Sequence, residues 1–239
     1  MKAKLIPQEI IEDIASKQRV EWGLSETEPI NVKTILRKLN ILTIYRPLSM
    51  DSCGVSLMTA DKTKRFMLIN SNCPRGRQHF TIAHELFHLF VDENPEPHIC
   101  KEYGEKDNNE KNADMFASCL LMPKRGILAN CPNDEIKGRN VSVATILKLE
   151  QLFGVSHQAL VYRLKRLKLI SETQLQDLLK ANIKLLAEQY GIEKILYEPG
   201  NEGVIIGDYG TKARLLFENE KISEGHYNEL MNTIGYGKN

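Results

Sequence analysis

Apolar residues recur at helical spacing over 7–22, where Ile10, Ile11, Ile14, Ala15 and Val20 fall largely on one side and Pro7 stands near the first turn. A second helix is predicted from Asn31, a good N-cap, through Val32, Ile35, Leu36 and Leu39, with Asn40 suiting its end. Three short strand patterns follow at 41–45, 54–59 and 65–69, and the last two are joined by a polar five-residue loop in the manner of a hairpin. Pro74 and Gly76 then break the pattern. The stretch from Phe80 to Val91 is apolar on nearly every side, as in a helix buried in a domain core.

The polar stretch 92–109 carries Pro95, Pro97 and Gly104, and is expected to be an irregular loop bordering a cleft. A further amphipathic helix runs from Glu110 to a stop at Pro123, with Ala113, Phe116, Ala117, Leu120 and Leu121 at helical spacing. From Val141 two apolar stripes are separated by Gly154-Val155-Ser156, a pattern that resembles a helix-turn-helix. Ser171 to Gln174 has the form of a capping box opening a helix expected to reach Tyr190. Beyond it, 204–206 and 213–217 read as a hairpin around Gly207 to Gly210, and Ser223 opens a last helix.

Chemistry enters in the buried stretch, where His84, Glu85 and His88 form a His-Glu-x-x-His word. Residues four apart lie on one helix face, so both imidazoles can point at one atom. Buried unpartnered imidazoles are costly, and a zinc ion would supply the partner, with Glu85 placed to take a proton from activated water. Glu110 and Asp114 also share a face, and would suit a third ligand and an acceptor for a histidine ring N–H. Acids at a helix start equally complement its dipole, and the pattern alone favours that second reading. His98 and Cys100 lack the further partners a zinc site needs and read as ordinary loop residues.

Composition narrows the class. The chain has 239 residues, 42% hydrophobic and 26% charged, as in a soluble globular protein, and its net charge of +1 gives no global attraction to nucleic acid or membrane. Five widely spaced cysteines without a Cys-x-x-Cys pair argue against a disulfide framework and point to a reducing cytoplasm. No signal peptide and no membrane-spanning run is visible.

Two motifs in order, Arg77-x-x-Phe80-Thr-Ile-Ala-His-Glu-x-x-His88 and Glu110-x-x-Ala-Asp-x-Phe-Ala-x-x-Leu-Leu-Met-Pro123, resemble the ImmA/IrrE family of metallopeptidases over about residues 30–125. The resemblance implies that His84, His88 and Glu110 bind zinc and that Glu85 is the catalytic base. Phe87 departs from it, standing where many relatives carry glycine, and is expected to narrow the cleft. Asp114 stands where asparagine is frequent. The oxyanion donor is left open among Tyr103, His98, His79 and Arg77.

The fold class expected is α+β: a zincin-like metallopeptidase core over 1–125, a helix-turn-helix-like helical segment over 126–182, and a small C-terminal α+β unit over 183–239. Lys148, Arg163, Lys165, Arg166 and Lys168 make the helix pair locally basic. Packing or protein contact is preferred there over DNA binding, because helix pairs usually form to bury their faces and Glu150 sits where such a motif prefers a small residue. The function expected is zinc-dependent cleavage of a specific cytoplasmic protein, such as a helix-turn-helix repressor or antitoxin, a partner class that the resemblance supplies. The alternatives are a regulator with a structural zinc site and a toxin-like metalloprotein. The sequence leaves the oligomeric state open.

Overall fold

The computed structural model describes residues 4–49, 52–92, 98–101 and 107–233, with the side chains of 98–101 left aside. In chain order the elements are α1 (Gln8–Glu21), α2 (Val32–Lys38), β1 (Ile41–Arg46), β2 (Ser52–Met58), β3 (Arg65–Asn70), α3 (Arg75–Phe90), β4 (His98–Lys101), α4 (Asn108–Leu121), α5 (Lys124–Asn130) and α6 (Asn133–Gly138). There follow α7 (Val143–Phe153), α8 (His157–Arg166), α9 (Glu172–Lys180), α10 (Ile183–Gln189), a 3-10 turn (Lys194–Tyr197), β5 (Ile205–Ile206), α11 (Tyr209–Glu218) and α12 (Glu224–Thr233). The strand order is β4-β2-β3-β1-β5, with β1 and β3 parallel and the other pairs antiparallel. The fold is mixed α+β.

Local signals explain the first layer. The side chain of Asn31 accepts from Thr34 N to start α2, and Asn40 ends it in the left-handed conformation, φ 51°. In α1 the inward face is Ile11, Ala15 and Arg19, while Ile10 and Val20 stay half exposed or more, contrary to the stripe expected from the sequence. The buried Arg19 guanidinium displaces those aliphatics because it donates to the carbonyls of Ser25, Glu28 and Leu120. Buried polar groups persist where every donor finds an acceptor.

Helix α3 lies against β2 and β3 and beside α4. A Cβ on Gly54 of β2 would come within 2.7 Å of Thr81 Cγ2, so the glycine lets α3 approach the sheet one turn before His84. Ala113 and Ala117, both fully buried, give α4 a small-residue face. One apolar cluster runs from Ile11 through these helices to Leu178 and Ile206.

The helix pair α7–α8 is joined by a three-residue turn in which Gly154 has φ 63°, with Ser156 capping Ala159 N. Its basic residues are partly used in packing. Arg163 is buried, with two donors on the Glu12 carboxylate and one on the Met122 carbonyl, and Lys165 pairs with Glu172. Glu150 is wholly buried and satisfied by His157 and by the Tyr197 hydroxyl.

Four further expectations are corrected. The stretch 92–109 contains β4, paired with β2 at the edge of the sheet. The helix opened by Ser171 stops at Lys180, and Asn182 caps a separate α10 by accepting from Leu185 N. Ser171 does cap Gln174 N, but the Gln174 side chain donates to the Val141 carbonyl, so the reciprocal half of the box is replaced by a tertiary bond. The C-terminal hairpin is absent among the described residues. Ile205–Ile206 pairs with β1, and after Gly207 (φ 133°) the run 213–217 lies in α11 against α12. No helix among the described residues is long and apolar enough to cross a membrane.

Candidate metal centre

The helical spacing of α3 stacks His84 over His88, and both imidazoles are buried with Glu85 beside them. From α4, whose start is fixed by the Asp107 side chain accepting from Glu110 N, Glu110 reaches across to the pair. Its Oε2 lies 3.4 Å from His84 Nε2 and its Oε1 lies 3.2 Å from His88 Nε2, and the two Nε2 atoms are 3.3 Å apart. Ligands about 2.0–2.1 Å from a tetrahedral zinc are separated by roughly 3.3–3.4 Å. The two Nε2 atoms and the two Glu110 oxygens therefore stand at spacings that ligands of one tetrahedral ion have, and among the described residues this is the group whose atoms converge closely enough to hold a metal.

Each imidazole is oriented from behind. His84 Nδ1 donates to Asp114 Oδ1 at 2.9 Å, and His88 Nδ1 donates to Asp92 Oδ2 at 3.3 Å. Asp92 is held in turn by Asn109 Nδ2 at 2.6 Å. With Nδ1 committed as a donor, each ring turns Nε2 toward the centre. Asp114 stands as expected from the sequence, whereas Asp92 was missed. Its signal was present in the spacing, since residue 92 follows His88 by one helical turn.

Negative charge concentrates at this point. Burial opposes a charged His84, but hydrogen bonds to Asp114 and Glu110 and the charges of Glu85 and Asp114 outweigh it and raise its pKa to about 9. Surroundings that retain a proton so firmly also favour a cation. Glu85 Oε2 accepts from Ser56 Oγ on β2 at 2.5 Å, while buried Oε1 has no partner among the described residues. A carboxylate with one oxygen anchored and one unclaimed can accept a proton from a water in the centre. Ser56 was not foreseen, because the sequence does not tell which strand residue lies under the helix.

Of the oxyanion candidates, Arg77 lines an 800 Å³ cleft that also touches His84 and Asp114. His79 does not line it, and its Nδ1 donates to the Gly154 carbonyl at 2.7 Å. Tyr103 and the side chain of His98 lie outside the described residues, as does that of Cys100. Phe87 is not among the residues that line this cleft. It is buried against Phe116 on α4, ring centroids 5.6 Å apart, and meets the His88 ring edge-on.

The sequence matches a family model described as Peptidase_M78, the IrrE N-terminal-like domain, over residues 36–165, more than half of the chain. No curated protein matches it. A solved structure described as a Mycobacterium tuberculosis transcriptional regulator is similar at 16% identity and a TM-score of 0.43, covering 65% of this chain. The present chain spans 46% of that one.

Proposed function

The chain belongs to this family of IrrE N-terminal-like peptidase domains, and on that premise we propose that it is a zinc endopeptidase acting on a specific cytoplasmic protein, such as a repressor or antitoxin. The observation that carries the reading is the pairing of the His84–His88–Glu110 triangle with a buried Glu85 that keeps one oxygen unclaimed among the described residues. His84, His88 and Glu110 would hold the zinc, and Asp114 and Asp92 would keep the imidazoles aligned. When bound, zinc supplies acidity to water and polarises a peptide carbonyl.

The chain's own part is proton transfer and alignment. Glu85, steadied by Ser56, takes the proton of the attacking water and passes it to the leaving amine as the C–N bond breaks. A regulator with a purely structural zinc would need a fourth protein ligand and no buried base, and three candidate ligands converge among the described residues.

Zinc content and cleavage of a candidate repressor test the reading together. His84→Ala should lose most of its zinc, whereas Glu85→Gln should keep zinc and fold but lose cleavage. Full zinc in the first variant, or parental cleavage in the second, would overturn the assignment.

A further inference from the structure

We infer that the cleft between α3 and the α8–α10 face binds an acidic stretch of the substrate polypeptide flanking the scissile bond. This inference rests on the peptidase reading. The cleft, about 800 Å³, reaches the metal centre at His84 and Asp114, whereas Glu85, His88 and Glu110 do not line it. It therefore suits a neighbouring stretch of chain and not the bond that is cut.

Its far wall is built from the outward stripe of α8. Gln158, Tyr162 and Arg166 follow one another at intervals of one turn, all three exposed, and all line the cleft. Lys184 of α10 joins them and is also exposed. No ion pair involving Arg166 or Lys184 is found among the described residues, although Arg163 and Lys165 of the same helix are paired with Glu12 and Glu172. Among the described residues Asp114 is the one acidic side chain lining the cleft, and it is engaged by His84. A wall with two cations that have no ion pair among the described residues, a tyrosine and a glutamine attracts carboxylates and offers amide hydrogen bonds, as substrate-docking surfaces do.

Shape decides between peptide and nucleic acid. A helix that reads DNA must protrude into the major groove. Here the stripe that would do the reading faces into a concavity shared with Arg77 and Phe80 of α3, so a duplex would meet the opposite wall. An extended peptide fits such a cleft and can continue to the centre at His84. Binding energy gathered there, away from the reacting bond, would favour one partner over unstructured protein in general.

The test uses the full zinc-loaded chain carrying Glu85→Gln, so that binding is read without cleavage. A fluorescein-labelled peptide of alternating glutamate and alanine should bind by anisotropy, weakening with salt, while its lysine counterpart should not. Adding Arg166→Glu and Lys184→Glu together should weaken the acidic peptide by roughly 3- to 10-fold, the range for two exposed charge contacts. Arg166→Lys should retain most of the affinity. Equal binding of both peptides, or no effect of charge reversal in a variant with an unchanged melting curve, would overturn the inference. So would duplex DNA that binds through Arg166 and Lys184 when the acidic peptide does not. Acidic-peptide binding together with no cleavage of any protein by the unaltered chain would defeat the peptidase reading alone. Cleavage indifferent to substrate charge would defeat the cleft alone.

Discussion

The carboxylate of Glu85 and the two imidazoles beside it are groups that a protein interior rejects unless each finds a partner. The partners come in two layers: Glu110 at the centre, and Asp114, Asp92 and Ser56 behind. Removing a carboxylate that orients a metal-binding histidine typically weakens metal affinity or activity by roughly 10–100-fold. Asp92→Ala and Asp114→Ala should each fall in that range when zinc is competed against a chromophoric chelator. An Asp92→Ala protein with parental affinity would show that the 3.3 Å contact to His88 does not orient the ring. The inner residues were legible in the sequence because helical spacing fixes which side chains share a face. Ser56 was not, because its position under Glu85 depends on which strand the helix crosses.

Among the elements, the cap signals of Asn31 and Ser171 mark helix starts that the sequence reading places, whereas Asn182, which caps α10, falls inside a stretch read as one helix. Asn31, Ser142, Ser156 and Ser171 each cap the helix that follows. The run 213–217 was misread because a short apolar stretch does not distinguish strand from helix, and its resolution came from β5 finding β1. Joints between elements are less readable still. A Cβ on Gly76 of α3 would lie 2.7 Å from Ser156 N and 2.8 Å from the Val155 carbonyl carbon, so the start of α3 is pressed against the turn of the α7–α8 pair. Alanine ordinarily improves a helix by about 1 kcal/mol over glycine. Here the clash is with backbone, which cannot swing aside, and Gly76→Ala should lower stability by about 1–3 kcal/mol. Gly138 of α6 has nothing within 4 Å of its Cβ position, and Gly138→Ala should be neutral or mildly stabilising. Urea midpoints measure both. A Gly76→Ala protein as stable as its parent would mean that α3 and the turn are not in contact.

At the scale of the molecule, two histidines tie the α7–α8 pair to its surroundings and give the assembly a pH dependence with two limbs. His157 Nδ1 faces Glu150 Oε1 at 2.6 Å and its Nε2 faces the Leu178 carbonyl at 2.9 Å. The Leu178 carbonyl only accepts and an ionised Glu150 accepts, so both ring nitrogens are placed to donate, the arrangement an imidazolium satisfies. Burial opposes that charge, but the hydrogen bond and charge of Glu150, with the Leu178 carbonyl, raise the His157 pKa. Tyr197, its pKa raised by burial and by Glu150, remains a donor to Glu150 Oε2. A raised histidine pKa contributes stability that is full below the unfolded value of about 6.5 and is lost as pH rises through the folded value. His79 behaves oppositely. Burial, reinforced by Lys33 and Arg75 and only partly offset by the Gly154 carbonyl, lowers its pKa. Its contribution is full above about 6.5 and is lost as pH falls through the lowered value. In the zinc-loaded protein, urea-unfolding free energies should therefore decline on both sides of about pH 6.5. His157→Gln combined with Glu150→Gln, which leaves no lone buried charge, should flatten the alkaline limb, and His79→Gln the acid one. An alkaline slope unchanged in the double variant would show that His157 is not charged in the folded chain, and that the joint beside the cleft is held by packing alone.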